Sequence, residues 1–276
     1  MNSKSIKILF VEGDTREVDV VKNMIATFFC SPRTDFKVIP IAVGQNIYML
    51  WNLLKEDDFD SDIIELIREN IPSATKQLEG CTRQNVDEVY LFFDLDKQQD
   101  NLPSDKDPNE VLQMMLETFD NETGNGKLYI SYPMVEALRD FRAGYCQPFY
   151  KCVLSEEDIA KDAYKTQTGS EKNIYAQINK YKHETWTAIT ETFALRLRCL
   201  FDNEQLDFDF YRENISPLDI WEKEKEKYLE ENKIFVLSAF PEFLLDYFSK
   251  DFYASHTRRK KRQFLECPKD KSHSKR

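Results

Sequence analysis

The sequence predicts an α/β fold in which a mostly parallel β-sheet is flanked by helices. In the first half of the chain, short apolar runs rich in β-branched and aromatic residues alternate with longer segments whose apolar residues recur every three or four positions. Strands and helices in alternation are typical of a parallel sheet with right-handed crossovers. The 276 residues are 41% hydrophobic and include only 7 glycines, which indicates a chain with a substantial core and short loops.

The individual elements of the first half follow from these patterns. The first helix places Val18, Val21 and Ile25 on one face and ends before Pro32. Pro133 suits the first turn of a helix, because the amide at that position has no partner within the helix in any case. We expect strands at residues 6–11, 36–44, 87–96 and 127–132, and helices at residues 15–29, 45–56, 60–70, 109–119 and 133–141.

Beyond residue 144 the pattern becomes mostly helical. Residues 156–200 and 216–233 have helical patterns, the first broken near Gly169 and the second opened by a capping Ser216. A final apolar strand and helix, at residues 234–248, are candidates to rejoin the first sheet. We therefore divide the chain into an α/β domain at 1–144, a mostly helical region for dimerisation or partner docking at 145–255, and a flexible basic tail at 256–276.

The charge of the chain is acidic and unevenly distributed. The formal net charge of −11 disfavours a protein that coats nucleic acid, because such proteins present a broad basic face to the phosphates. Residues 258–276 alone carry about +7, which leaves about −18 on the rest of the chain. The densest basic cluster is either an electrostatic handle for nucleic acid or a solubilising or partner-binding tail. It comprises Arg258, Arg259, Lys260, Lys261 and Arg262.

The cysteines and the apolar runs indicate where the protein resides. The six cysteines are scattered without a CxxC pair, which argues against a zinc ribbon. No apolar run near the N-terminus is long enough for a signal peptide or a membrane span. These features predict a cytoplasmic protein with reduced cysteines and no membrane association.

Two of the predicted strands end in acidic residues. Glu12 closes the first strand and is followed by Gly13, whereas Asp94 and Asp96 close the third. Ligands collect at the carboxyl ends of the strands in an open parallel sheet, and neighbouring strands lie about 4.8 Å apart. Side chains two positions apart share a face, so Asp94 and Asp96 point the same way. If the two strands are neighbours, the three carboxylates converge within reach of a hard divalent cation, whose charge offsets their mutual repulsion.

These motifs, "ILFVEG" followed about eighty residues later by "LFFDLD", resemble the TOPRIM family, the topoisomerase-primase domain. In that family a Rossmann-like sheet carries a glutamate at the end of its first strand and Asp-x-Asp at the end of its third, where Glu12, Asp94 and Asp96 fall. The resemblance covers residues 7–141. It implies cleavage of phosphodiester bonds with Mg²⁺ or Mn²⁺ held by Asp94 and Asp96, while Glu12 binds metal or manages the proton of the attacking water.

Within the family, the chain is most similar to the small stand-alone TOPRIM nucleases of anti-phage defence systems. It has no zinc motif of the primase kind and no space for the body of a topoisomerase. The resemblance implies a toxin-like effector nuclease that cleaves DNA or RNA, tRNA included. Some nucleases of this group act beside an ATPase, so an ATPase is the expected controlling partner, and a homodimer is a further expectation.

Residues after the fourth strand are further candidates for the same site. Glu136 lies at the start of the predicted helix 133–141, where it could serve as a metal ligand or as an acid behind the ligands. Compensation of the helix dipole explains Glu136 as well. Ser131 and Arg139 are candidate phosphate contacts, although a helix salt bridge explains Arg139 equally well. The predicted catalytic residues are Glu12, Asp94, Asp96 and Glu136.

Two other functions compete with the nuclease. The stretch "FFDLDK" is similar to the nucleophile loop of haloacid-dehalogenase-type phosphatases, in which the first aspartate attacks phosphorus. That loop normally lies near the N-terminus and is soon followed by a small hydroxyl residue, whereas Lys97 and two glutamines follow here. The second alternative is a non-catalytic subunit whose TOPRIM-like shape serves only to dock a partner.

Overall fold

The structure is a computed structural model that describes residues 5–29, 36–59, 61–95, 102, 106–140, 152–160, 163–171 and 173–248. The strands are β1 Ser5–Val11, β2 Phe36–Ala42, β3 Val86–Asp94, β4 Asp120–Asn121, β5 Gly126–Ser131, β6 Val153–Ser155 and β7 Lys233–Phe235. The helices are α1 Arg16–Phe28, α2 Ile47–Glu56, α3 Ile63–Asn70, α4 Pro72–Thr75, α5 Pro108–Thr118, α6 Glu156–Ala160, α7 Ala163–Thr168, α8 His183–Leu200, α9 Phe208–Asn214, α10 Pro217–Lys227 and α11 Ala239–Tyr247. Short 3-10 helices lie at Val135–Leu138, Ile178–Lys180 and Leu229–Glu231.

The main sheet confirms the prediction of an α/β fold with a mostly parallel sheet flanked by helices. Its strand order is β2-β1-β3-β5-β4, in which β2, β1, β3 and β5 are parallel and β4 is antiparallel. The chain moves outward from β1 to β2 on one side and later to β3 on the other. The boundary between β1 and β3 is therefore the point where the winding direction reverses, which is where open α/β sheets bind their ligands.

Alternate side chains of the strands enter two hydrophobic cores, one on each face of the sheet. Leu9 and Phe92 face α1 and α11, together with Trp186 from the first half of α8. Phe10 and Leu91 face α2, α5, α10 and the second half of α8 on the opposite side. Because successive residues of a strand point to opposite faces, each strand that is buried on both faces is apolar along its length.

The C-terminal part of the described chain packs onto the same sheet. Helix α11 places Phe240 in a parallel stack on Phe92, with ring centroids 5.0 Å apart. Strand β7 pairs with β6 in a separate antiparallel ladder. Beyond it, Leu237 forms an antiparallel bridge with Tyr132 at the end of β5, with N–O distances of 2.8 and 3.0 Å. The predicted domain boundary at residues 144 and 145 lies outside the described residues, as does the tail at 256–276.

Two details of the helices and cysteines bear on the sequence predictions. In the described part of the chain, no helix is both long enough and apolar enough to cross a membrane. The cysteines in these ranges, Cys81, Cys152 and Cys199, are not joined in disulfide bonds.

The helix predicted at residues 133–141 is wrong. The Tyr132–Pro133 peptide bond is cis, Met134 is extended, and only a 3-10 helix at Val135–Leu138 follows. All four side chains of that 3-10 helix are buried. A surface helix needs one face toward solvent, and this segment has none, so it runs as a short buried turn past the ends of β3 and β5.

Glu242 of α11 is a buried carboxyl group with an acidic neighbour. Its side chain is 1% exposed, and the Tyr211 hydroxyl donates to it over 3.5 Å. Burial, and then the charge of Asp246, raise the pKa of Glu242 well above its usual value, whereas Lys127 and Tyr211 lower it. The charge of Glu242 in turn acts on the hydroxyls of Tyr129 and Tyr132 in the β5 region.

We expect Glu242→Gln to flatten the dependence of stability on pH. The folded protein holds the Glu242 proton more tightly than the unfolded chain does. Stability is therefore greatest below the unfolded pKa of about 4.3 and falls as the pH rises toward the folded value. Glutamine does not titrate, so the variant lacks this loss of unfolding free energy, which is about 1.4 kcal/mol for each unit between the two pKa values.

Urea unfolding of the wild type and of Glu242→Gln at about pH 5 and about pH 8 measures the difference in the free energy of unfolding. A variant that loses equal stability at both pH values contradicts this account, and Glu117→Gln on the exposed side of α5 is the matched control.

Candidate active site

Glu12 and Asp94 lie side by side at the carboxyl ends of β1 and β3. The Asp94 amide donates a hydrogen bond to Glu12 Oε2 over 3.0 Å. The backbone of Glu12 is held from both sides, since its amide donates to the Phe92 carbonyl over 3.1 Å and its carbonyl accepts from the Gly44 amide over 2.8 Å. The two strands are thus neighbours, which is the condition under which their acidic ends were expected to converge, and these ends meet at the reversal point of the sheet.

The Asp94 carboxyl group sits in a strongly negative environment. It is partly buried, and the backbone amide of Val135 donates a hydrogen bond to it. Burial, followed by the charges of Glu12 and Glu17, raises the pKa of Asp94 well above its usual value, and the Val135 amide and Lys165 offset only part of this. Clusters of carboxylates that oppose one another's ionisation are typical of sites that bind a cation or handle a proton.

Glu17 is a third acid at this edge, and no pattern in the sequence assigned it to the site. Its carboxylate folds back from the first turn of α1 onto Gly13, so that a Cβ on Gly13 would lie only 2.6 Å from Glu17 Cδ and 2.8 Å from Oε1. Burial is the main cause that raises the pKa of Glu17. Gly13 thus leaves room for an acidic side chain one turn later. In the sequence, Glu17 is recognisable only as an acidic residue in the first turn of a predicted helix. Such a residue ordinarily indicates no more than compensation of the helix dipole.

Glu136 is buried and forms an ion pair with Arg16, the first residue of α1. Its neighbour Val135 contacts Asp94 through the backbone, so the 3-10 helix lies against the acidic pair. The charge of Glu136 is balanced by Arg16 across the gap between the two elements. A catalytic role for Glu136 stays a prediction, and the ion pair gives it a second role in positioning Arg16.

Ser131 adjoins Asp94 on the next strand. The two residues are paired in the parallel register of β3 and β5. The Ser131 hydroxyl is buried and accepts a hydrogen bond from the Ala239 amide over 3.4 Å, at the start of α11. Ser131 therefore links the site to the C-terminal helix, and its predicted phosphate contact stays a prediction.

The metal predicted for this site is supported by the chemistry of two residues. Glu12 and Asp94 supply carboxylate oxygens, the donors that Mg²⁺ and Mn²⁺ prefer, and a cation would relieve the repulsion that raises the Asp94 pKa. Within the residues that the structure describes, no group of three or more His, Cys, Asp or Glu side chains is arranged to hold a metal ion. The third predicted ligand, Asp96, and the basic cluster at residues 258–262 lie outside the described residues.

Comparison of the chain with models of protein families, with curated proteins and with solved structures gave no match in any of the three. Membership of the TOPRIM family therefore stays a prediction from the two motifs and their order. The coarser statement, an α/β fold with a mostly parallel sheet flanked by helices, rests on the strand order itself.

Proposed function

We propose that this protein is a metal-dependent nuclease that hydrolyses phosphodiester bonds in DNA or RNA. The observation that carries the proposal is the contact of Glu12 with Asp94 at the point where the winding of the sheet reverses. Acidic residues that converge at this point of an α/β sheet suit a divalent cation and a phosphate substrate. The order of the two acidic motifs, which resembles TOPRIM nucleases, supports the same reaction.

The residues of the site have separate tasks in this proposal. Glu12 and Asp94, with Asp96 as the predicted third ligand, would hold Mg²⁺ or Mn²⁺, which when bound activates a water molecule and neutralises charge on the phosphate. The Asp94 amide fixes the direction of the Glu12 carboxylate, and the Val135 amide fixes that of Asp94. In this proposal Glu12 would also accept the proton of the attacking water.

The cellular role that we propose is that of a cytoplasmic effector in anti-phage defence, controlled by a partner ATPase. This cellular role is supported by the resemblance of the two acidic motifs to those of the stand-alone TOPRIM nucleases of anti-phage defence systems. The acidic body of the chain suits an enzyme that admits nucleic acid only locally, because about −18 of charge repels a phosphate backbone elsewhere. The basic cluster of the tail would supply attraction for nucleic acid, tRNA among the candidate substrates.

Incubation with plasmid DNA, single-stranded DNA and total tRNA tests the proposal, each with Mg²⁺, with Mn²⁺ and with EDTA. We expect cleavage of at least one substrate that needs metal and is lost in Glu12→Gln. Metal-dependent release of phosphate from small monoesters that survives Glu12→Gln would instead indicate the phosphatase. A wild-type protein that cuts none of the substrates, alone or with an ATPase partner, contradicts the nuclease and leaves the partner-docking subunit.

A further inference from the structure

Arg139 lies at the edge of the acidic site and has a buried side-chain nitrogen, Nε, that no described residue pairs with. It follows directly on the 3-10 helix, and its backbone is held rigidly: its amide donates to the Glu136 carbonyl over 2.8 Å and its carbonyl accepts from Asn173 Nδ2 over 2.9 Å. The Nε atom is buried and has no hydrogen-bond partner. In the residues that the structure describes, no carboxylate forms an ion pair with the Arg139 guanidinium. A buried donor that is left unpaired costs free energy.

Arginines that hold this fold together have partners for their side chains. Arg196 is 6% exposed, and its two terminal nitrogens donate to the Val236 carbonyl over 2.8 Å and to the Asp140 carbonyl over 2.5 Å. Arg198 donates through Nε to the Leu206 carbonyl over 2.6 Å. Arg139 differs from both, because its backbone is fixed while its buried Nε atom has no hydrogen-bond partner. That combination suits a side chain whose partner is a ligand.

A second guanidinium group, that of Arg16, lies within electrostatic reach of Arg139. Burial is the main cause that lowers the Arg139 pKa, and the positive charge of Arg16 is the next. Arg16 is itself held by its ion pair with Glu136, so the two cations are kept near one another by the fold. Glu136 is the anion beside Arg16, whereas Arg139 forms no ion pair with a carboxylate of the described residues.

The two arginines border the acidic pair. The charge of Glu17 acts both on Asp94 and on Arg139, so Glu17 lies within electrostatic reach of each. The charge of Lys165, an exposed residue of α7, acts on Asp94, and a Cβ on Gly169, directly after α7, would lie 3.8 Å from an Arg139 guanidinium nitrogen. Carboxylates that suit a cation and positively charged side chains that suit an anion are thus found at the same edge of the sheet.

We propose that Arg139 binds a non-bridging oxygen of a substrate phosphate beside Glu12 and Asp94, with Arg16 as the neighbouring cation. The planar guanidinium of arginine matches the geometry of a phosphate group, which accepts two parallel hydrogen bonds from it. This inference rests on the proposed function, from which we take nucleic acid as the substrate. Contacts to phosphate do not distinguish one base from another. Arg139 would therefore contribute to affinity and to the position of the nucleic acid, whatever its base sequence.

Binding of nucleic acid in EDTA tests this site apart from cleavage. The probes are fluorescein-labelled single-stranded DNA and RNA oligonucleotides, and the readout is anisotropy at several salt concentrations. We expect Arg139→Gln to weaken binding about 10-fold and to reduce the slope of log affinity against log salt by about 1. Arg139→Lys keeps the charge without the planar fork and retains most of the slope. Arg212→Gln, at an exposed position of α9, is the matched control and leaves both quantities unchanged.

The outcomes separate this inference from the proposed nuclease. Unchanged affinity and slope in Arg139→Gln overturn the inference, even if the wild-type protein cleaves nucleic acid. An equal loss in Arg212→Gln, or a loss in Arg139→Gln that only follows a lowered melting temperature, also overturns it. A wild-type protein that binds through Arg139 but cuts nothing supports the inference and contradicts the nuclease. No binding of either probe by the wild-type protein overturns the inference.

Discussion

Asp94→Asn is expected to abolish cleavage while making the protein more stable. Removing a carboxylate that binds metal or handles a proton lowers the rate by about 10²–10⁴-fold. In EDTA, however, the same change removes a partly buried charge that faces Glu12 and Glu17. The folded state holds the Asp94 proton more tightly than the unfolded chain, so the aspartate destabilises the protein as the pH rises above the unfolded pKa. Asparagine keeps an oxygen for the Val135 amide, and we expect a gain of about 1–2 kcal/mol near pH 8.

The test of this prediction measures the cleavage rate and the free energy of unfolding in urea on the same preparations, in Mn²⁺ and in EDTA. Opposite signs in activity and stability are the signature of a residue retained for function, whereas a structural residue loses both. Asp120→Asn, at an exposed position of β4, is the control and changes neither quantity appreciably. A variant that is less stable in EDTA than the wild type would show that Asp94 serves the fold instead. Retained cleavage would remove Asp94 from the reaction.

Phe240→Ala is expected to lower the free energy of unfolding by about 3–5 kcal/mol. Phe240 is 1% exposed and stacks on Phe92, which in turn stacks on Tyr129 at 5.6 Å and meets Phe243 edge to face at 5.3 Å. Alanine leaves a cavity between α11 and the centre of the sheet. The loss is large because α11 covers β3 and β5 on the face of the sheet that it shares with α1. A loss of this size is a large part of the stability of an ordinary domain.

Urea unfolding measures this effect, with Phe210→Ala as the matched control. Phe210 is 39% exposed, so the same truncation there should change stability by no more than about 0.5 kcal/mol. A double-mutant cycle of Phe92→Leu with Phe240→Ala isolates the ring contact, which we expect to contribute about 0.5–1.5 kcal/mol. If Phe240→Ala costs no more than Phe210→Ala, α11 is not part of the core of the sheet.

Local patterns in the sequence were enough for most of the sheet and for two residues of the site. The apolar runs that became β1, β3 and β5 are largely buried strands, and the run that became β2 is a half-buried edge strand. Such runs in alternation with helical periodicity favour parallel pairing. Glu12 and Asp94 were found because a polar residue directly after a buried strand lies at the edge of the sheet, wherever that strand is placed. The prediction of a helix at 133–141 was wrong because the residues of this segment are buried on all sides. The spacing of its apolar residues therefore does not mark the buried face of a surface helix.

The amino-acid sequence by itself thus determined the strands, their parallel direction and the acids at their ends, because these depend on neighbours in the chain. Only the tertiary structure decided that β1 lies beside β3, that Glu17 folds back over Gly13, and that the buried Nε atom of Arg139 has no hydrogen-bond partner among the described residues. It also brought α11 from the far end of the chain onto the sheet and buried Glu242 there. Each of these features depends on contacts between residues far apart in the sequence, and burial and charge pairing arise only when those contacts form.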